Sequence, residues 1–459
     1  MSCTMVLPHE LAQEIVRAAQ DPLETAGVLL ASLRECSDGL RKVLVRKIIW
    51  VPEHAYRVRR QDALSICSEG YVPALQEAES LGACAIWFHT HPTEIGIPLP
   101  SPHDEIVDGQ LRDLFRLRTS SEVYGSIIFS PAADGLSFTG FIDIDRFVEK
   151  IDRLFIIGDR FHDVDAYAEC SSVLSTEFDR SVRAFGGAVQ ATISRLSFGV
   201  VGNGGTGSAV AEQLVRLGAR HLILFDPDTL ELSNLTRVYG STRNDVGRAK
   251  VEVLRDYLLR ISPDLECPVY QSSILDERTA RRLIGCDVVF GCTDDNAGRI
   301  VLSRLASQFM IPVFDCGVLL SSDAAGNLVG IDGRVTTLCP GTACLVCRNR
   351  IDMRRAAAEQ MSAAEHRRLA AEGYAPALGR IEPAVVTFTT SVAAQAVSEL
   401  IERFVGYGPT PRPSEVLLRM HDREISTNIV HPRKDHYCDS EAGQLGAGTM
   451  NPFLDLAWP

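Results

Sequence analysis

Apolar and polar positions alternate in short runs over the first 147 residues, most clearly in FTGFIDIDRF at 138–147, and this two-residue period predicts half-buried strands. The opening MSCTMVLPHELAQEIVRAAQ instead predicts an amphipathic helix with acidic residues on its polar face. Helix formers prevail from Val148 to Arg195. At Leu196 the pattern becomes strand, glycine turn, helix, strand in LSFGVVGNGGTGSAVAEQLVRLGARHLILFD, and a second such stretch is CDVVFGCTDDNAGRIVLSRLASQFMIPVFDCGV. That alternation predicts a mainly parallel sheet with crossover helices, so the chain is expected to be α/β. The expected segments are a first domain at 1–147, a helical linker at 148–195, a second domain at 196–438 and a loosely ordered tail at 439–459. Residues 351–380, rich in Ala, Arg and Glu, are expected to be helical.

A chain of 459 residues is too long for one ordinary core, which agrees with two domains. With 46% hydrophobic and 23% charged residues it has the composition of a globular protein. It has no apolar run near the ~20 residues of a membrane span, so no membrane association is expected. The N-terminus lacks the basic start and apolar core of a secretory signal, and a cytoplasmic location is expected. There the thirteen cysteines should be reduced, and buried, metal-bound or catalytic. A net charge of −13 excludes a general nucleic-acid binder, which needs basic surface.

Chemistry concentrates first in WFHTHPTEIGIPLPSPHDE. His89 and His91, two residues apart at the end of an apolar strand, present both imidazoles to one side and suit Zn²⁺, and Asp104, near a helix start marked by Ser101 and Pro102, can supply a third ligand. Three protein ligands leave an open position for water, the mark of a catalytic zinc site. Glu24, where a helix gives way to a strand, lies where it can serve that water as a base. Together these positions resemble the JAMM (MPN-type) metalloprotease signature, a Glu followed by His-x-His-Pro and Ser-x-x-Asp, over about the first 145 residues. The resemblance implies His89, His91 and Asp104 as zinc ligands, Glu24 as general acid/base and Ser101 as donor to an oxyanion. Nine residues, Pro92 to Pro100, separate His91 from Ser101, a longer loop than is usual for that family.

The second concentration is VVGNGGTGSAV, where Gly202, Gly204, Gly205 and Gly207 join a strand to a helix and allow phosphate to approach backbone N–H groups. A dinucleotide-binding dehydrogenase would share such a turn. The continuation carries Asp226 at a strand end, then Asn234, Arg237 and Lys250, cations that hydride transfer does not need and phosphoryl chemistry does. From Phe178 to Ser398 this resembles the ThiF-like superfamily of ubiquitin-activating enzymes and sulfur-carrier adenylyltransferases. The resemblance implies ATP and Mg²⁺, with Asp226 on the ribose, Asn234, Arg237 and Lys250 on the phosphates, and Asp294 on the magnesium. It also implies that Arg180 reaches the γ-phosphate across a homodimer.

Cys344 and Cys347 form a C-x-x-C, and this family usually closes a structural zinc with a second such pair. Here Cys438 occupies the last position, with His436 or Asp435 to complete the site and Cys339 as a further thiolate. The resemblance also implies a thioester cysteine in the crossover segment, but none lies between Cys347 and Cys438, and AAEGYAPALGRIEPAVV offers no nucleophile. Cys292 and Cys316 are expected at the ends of core strands, Cys316 being the better candidate for a nucleophile.

Together these resemblances imply a bifunctional enzyme that trims or deconjugates a ubiquitin-like protein and adenylates its exposed C-terminal glycine. Tethering raises the effective concentration of one site near the other. No segment resembles the modifier, which must come in trans, with a conjugating enzyme as a further partner and a bacterial modification operon as the setting. Sulfur-carrier activation to a thiocarboxylate, or a scaffold with an inactive JAMM domain, are the alternatives.

Overall fold

A computed structural model describes residues 2–36, 39–93, 96–119, 121–132, 135–145, 147–166, 176–361, 368 and 384–458. The chain divides into two compact units, Met1–Ser171 with Gly443–Gly448, and Ser172–Ala442 with Thr449–Pro459. It is a mixed α/β protein, as the hydrophobic pattern implies.

The first unit is built on β1 (Ser2–Pro8), β2 (Ala26–Glu35), β3 (Leu40–Trp50), a small hairpin of β4 (Tyr56–Arg59) and β5 (Leu64–Ile66), β6 (Cys84–Thr90), β7 (Val123–Ala132), β8 (Gly135–Ile144), β9 (Phe147–Lys150), β10 (Arg153–Ile157) and β11 (His162–Asp165). Nine of these form one sheet in the order β11-β10-β1-β3-β2-β6-β7-β8-β9. Helix α1 (His9–Ala19) contributes Ile15 and Ala19 to the core on one face, while α2 (Val72–Ser80) and α3 (Pro102–Thr119) contribute Leu75, Leu111 and Phe115 on the other. The buried run of β6, apolar as far as Phe88, is the interior strand that such covering on both faces requires.

Two boundaries differ from the sequence expectation. Ser2–Pro8 belong to a strand rather than to the opening helix, because Cys3 to Pro8 are all buried between β10 and β3. Residues 148–165, expected in a helical linker, instead run through β9, β10 and β11 of the first sheet. Their charges are matched by neighbours, Arg41 with Glu149 and Arg153 with Asp163.

The second unit follows with α4 (Asp179–Phe185), α5 (Gly187–Arg195), β12 (Ser197–Val201), α6 (Gly205–Arg216), β13 (His221–Phe225), α7 (Lys250–Ile261), β14 (Val269–Tyr270), α8 (Glu277–Arg282), β15 (Val288–Gly291), α9 (Asn296–Gln308), β16 (Val313–Ser322), β17 (Leu328–Leu338), α10 (Met353–Glu359), α11 (Val386–Val405), β18 (Glu415–Arg419) and β19 (Glu424–Asn428). The sheet order is β14-β13-β12-β15-β16-β17-β18-β19, with parallel pairing from β14 through β16 and antiparallel pairing thereafter. The chain order thus reverses direction between β12 and β15, the switch point where open α/β sheets bind ligands. Cys316 lies inside β16 rather than at its end, because that strand runs on to Ser322 to pair with β17.

The expected helix over 351–380 is described only as α10, and most of the crossover segment lies outside the described residues. The tail expected to be loose is anchored. Phe453 and Leu454 are fully buried, with the Phe453 ring 5.7 Å from Phe309 and beneath the Arg281 guanidinium at 4.5 Å.

Candidate functional site

In the first unit β6 ends beside the start of β2. Ala26 pairs with His89, Thr25 N–H donates to Thr90 Oγ1 (2.9 Å), and Thr90 N–H donates to the Thr25 carbonyl (2.9 Å). That pairing sets buried Glu24, one residue earlier, next to the histidine-bearing strand end. The His89 and His91 Nε2 atoms lie 3.0 Å apart, and Asp104 carboxylate oxygens lie 3.3 Å from the first and 3.8 Å from the second.

Asp104 arrives on the first turn of α3. Ser101 N–H donates to Asp104 Oδ2 (2.7 Å) and Asp104 N–H donates to Ser101 Oγ (3.3 Å), a capping box with Pro102 opening the helix. Burial raises the Asp104 carboxyl, but the hydrogen bond and charge of His89, with the bonds to Ser101, together hold it below the ordinary carboxylate range.

The donor chemistry fits a metal ion. Two imidazole nitrogens at 3.0 Å facing a carboxylate need a shared proton or a cation between them. Two nitrogens and an oxygen within 4.8 Å of one another suit zinc.

In the second unit the turn after β12 carries Gly202 in the left-handed region (φ 84°), where a Cβ would meet the Cys292 carbonyl at 2.7 Å. Gly207 faces the same turn, and a Cβ there would stand 1.8 Å from the Gly202 carbonyl. Gly204 has open space instead. It lines a cavity of about 1040 Å³ at the switch point, together with Gly202, Gly205, Asp226, Arg237, Lys250 and Asp294.

Asp226 accepts hydrogen bonds from the N–H groups of Asn203 (2.6 Å) and Asp228 (2.9 Å). Burial raises its carboxyl and the Lys250 charge opposes that shift. The Lys250 ammonium in turn lies 2.7 Å from Asp228. In the loop after β15 the two adjacent acids divide their tasks. Asp295 caps α9 through the Gly298 N–H, and Asp294 is exposed to the cavity.

Three expected nucleotide residues do not line this cavity. Gly207 packs beneath the turn. Asn234 is buried, and its Oδ1 accepts from the Glu231 N–H (3.0 Å) to close a short helical turn, so it shapes the loop that carries Arg237. Arg180 is exposed on α4. The fold also adds lining residues absent from the sequence reading. Arg299 of α9 and Arg334 of β17 both flank fully buried Asp315, placing guanidinium charge beside Gly317. Arg299 was within reach of a sequence reading, five residues past Asp294 in the same DDNAGR run, whereas Arg334 has no local motif and is brought in by the β16–β17 pairing.

Cys344, Cys347, His436 and Cys438 converge, with all ligand atoms within 4.8 Å of one another. His436 Nδ1 is 3.2 Å from Cys438 Sγ and 3.7 Å from Cys344 Sγ, and the Cys347 and Cys438 sulfurs are 3.7 Å apart. The hydrogen bond with Cys438 draws the Cys344 thiol down to about 5 against the effect of burial. Three sulfurs and one nitrogen fit a closed structural zinc. Of the alternatives open in the sequence, Asp435 is exposed and Cys339 lies outside the four.

The model of the ThiF family matches residues 178–440. The chain is 31% identical over 160 residues to ubiquitin-like modifier-activating enzyme 5 of Caenorhabditis briggsae, covering 32% of this chain and 35% of that protein. It is 31% identical over 154 residues to the molybdopterin-synthase adenylyltransferase of Escherichia coli, covering 33% of this chain and 58% of that one. It therefore spans little more than a third of the activating enzyme and under two thirds of the adenylyltransferase. Among solved structures, E. coli MccB with ATP is similar over 58% of this chain and 74% of that one, at 18% identity and a TM-score of 0.44. Among the described residues no helix is long and apolar enough to cross a membrane.

Proposed function

The chain belongs to the ThiF family, and from that premise we propose that its second unit adenylates the C-terminal glycine of a ubiquitin-like protein supplied in trans, while its first unit is a JAMM-type zinc isopeptidase for the same modifier. The observation that carries the first half is the shared cavity. The glycine turn, an acid at the end of the next strand, two cations and an exposed aspartate all line one space at the switch point.

In this reading the N–H groups at the start of α6 face the ATP phosphates and Asp226 takes the ribose hydroxyls. As the glycine carboxylate bonds to the α-phosphate and the bond to the departing pyrophosphate breaks, negative charge builds up that Arg237 and Lys250 neutralise, and Asp294 would hold Mg²⁺. Arg180, exposed on α4, is assigned to the site of a second copy in a homodimer. With no cysteine between Cys347 and Cys438, the acyl-adenylate passes to a thiol on a partner such as a conjugating enzyme. The similarity to a molybdopterin-synthase adenylyltransferase favours sulfur-carrier activation as the second reading.

In the first unit, zinc on His89, His91 and Asp104 would supply a Lewis acid and a readily ionised water. Glu24 would serve as general base to an attacking water and as general acid to the departing amine. Ser101 Oγ accepts from Asp104, which leaves its own hydroxyl proton to donate to a developing oxyanion. Zinc on Cys344, Cys347, His436 and Cys438 would be structural.

Mass spectrometry of a modifier with a C-terminal extension tests the pairing of activities. The native chain should release the extension, Glu24→Ala should slow release by ~10²–10⁴-fold, and Asp294→Ala should leave it unchanged. Equal loss in both variants would contradict separate sites.

A further inference from the structure

A histidine that ligates through Nε2 is ordinarily oriented by a hydrogen bond from its other nitrogen. Among the described residues none bonds to His89 Nδ1, so the meeting of this ring with Asp104 depends on how firmly α3 is placed. Most of the contact between α3 and the sheet is apolar, through Leu111 and Phe115, and such packing is non-directional. Polar connections interrupt it: Arg112 and Arg116, farther along α3, ion-pair with buried Asp143 of β8, and a separate connection lies closer to Asp104. Asp108, one helical turn beyond Asp104 and on the same face, is buried and accepts a hydrogen bond from Tyr124 Oη at 2.6 Å. Ser126 favours the charged form of this carboxylate.

Tyr124 and Ser126 are alternate residues of β7, opposite Ala85 and Trp87 of β6, the strand that ends in the histidines. The Tyr124 ring is fully buried, edge-on to Phe115 at 5.7 Å, and cannot follow a shift of the helix. Burial pushes the Asp108 carboxyl up, and Tyr124 and Ser126 oppose that shift. A bond of fixed length and direction thus ties α3 to the strand beside the histidines.

We propose that Asp108, held by Tyr124, is a positioning residue that fixes the rotation of α3 and so sets the metal affinity of the site formed by His89, His91 and Asp104. The proposal rests on reading those three residues as zinc ligands. It is tested on the full chain by chelator competition for zinc, with the His89→Ala/His91→Ala double variant measuring metal held elsewhere.

Asp108→Asn and Tyr124→Phe should each weaken the metal by roughly 10- to 100-fold. Leu111→Ala, which loosens the apolar part of the same contact, should lower the thermal midpoint and leave zinc affinity unchanged. Native affinity in Asp108→Asn overturns the proposal, as does an equal affinity loss in Leu111→Ala. If Asp108→Asn does not fold, Tyr124→Phe, which keeps the ring packing, decides on the same criterion. A native chain that binds no more zinc than the double-histidine variant overturns the ligand reading instead.

Discussion

Gly204 and Gly207 lie three residues apart in one glycine-rich turn, yet substitution should affect them differently. A Cβ at position 207 would stand 1.8 Å from the Gly202 carbonyl, so backbone must move, and Gly207→Ala is expected to lose on the order of 3 kcal/mol of stability. At Gly204 nothing lies within 4 Å of a built Cβ and φ is −75°. Gly204→Ala should therefore fold normally and weaken ATP binding about tenfold, by crowding the approach of phosphate to the α6 N-terminus. Calorimetric titration with ATP beside thermal denaturation separates the two. A Gly204→Ala chain with native ATP affinity would remove the turn from the nucleotide site.

Elements show the same division between support and chemistry. Asp295 caps α9, so Asp295→Ala should cost ~1 kcal/mol, read as a lowered denaturation midpoint. Asp294→Ala should leave that midpoint unchanged and remove Mg²⁺-dependent ATP binding; the reverse pattern would exchange their roles. These positions were legible because the chemistry is local. A strand, a glycine turn and a helix follow one another in sequence around residues 197–216, and the i,i+2 histidines and the Ser-x-x-Asp capping box each sit at the end of one element. What was not legible depends on distant partners. SCTMVLP is a short apolar run whose periodicity does not tell a buried strand from a helix, and only its neighbours β3 and β10 decide it. The charged stretch at 147–165 forms strands because Arg41 and Asp163 answer Glu149 and Arg153 across the sheet. Arg334 enters the cavity only because β17 pairs with β16, and Phe453 and Leu454 hold a tail whose Gly-rich composition resembles a free end.

At the scale of the whole molecule, the two compact units carry the histidine site and the nucleotide cavity separately, so each chemistry should survive loss of the other. The central claim is that the ThiF-family unit uses ATP to activate a C-terminal carboxylate, and adenylation is reversible. The most direct measurement is exchange of labelled pyrophosphate into ATP with a ubiquitin-like protein ending in glycine, read beside a non-reducing gel. The native and Glu24→Ala chains should exchange label only when that protein is present, Asp294→Ala should not exchange, and no reductant-sensitive adduct with this chain should accumulate until a partner thiol is supplied. A thioester band that disappears in Cys316→Ser would move the acceptor thiol into this chain. Absence of exchange in the native chain, with the protein present and ATP bound, would contradict the account.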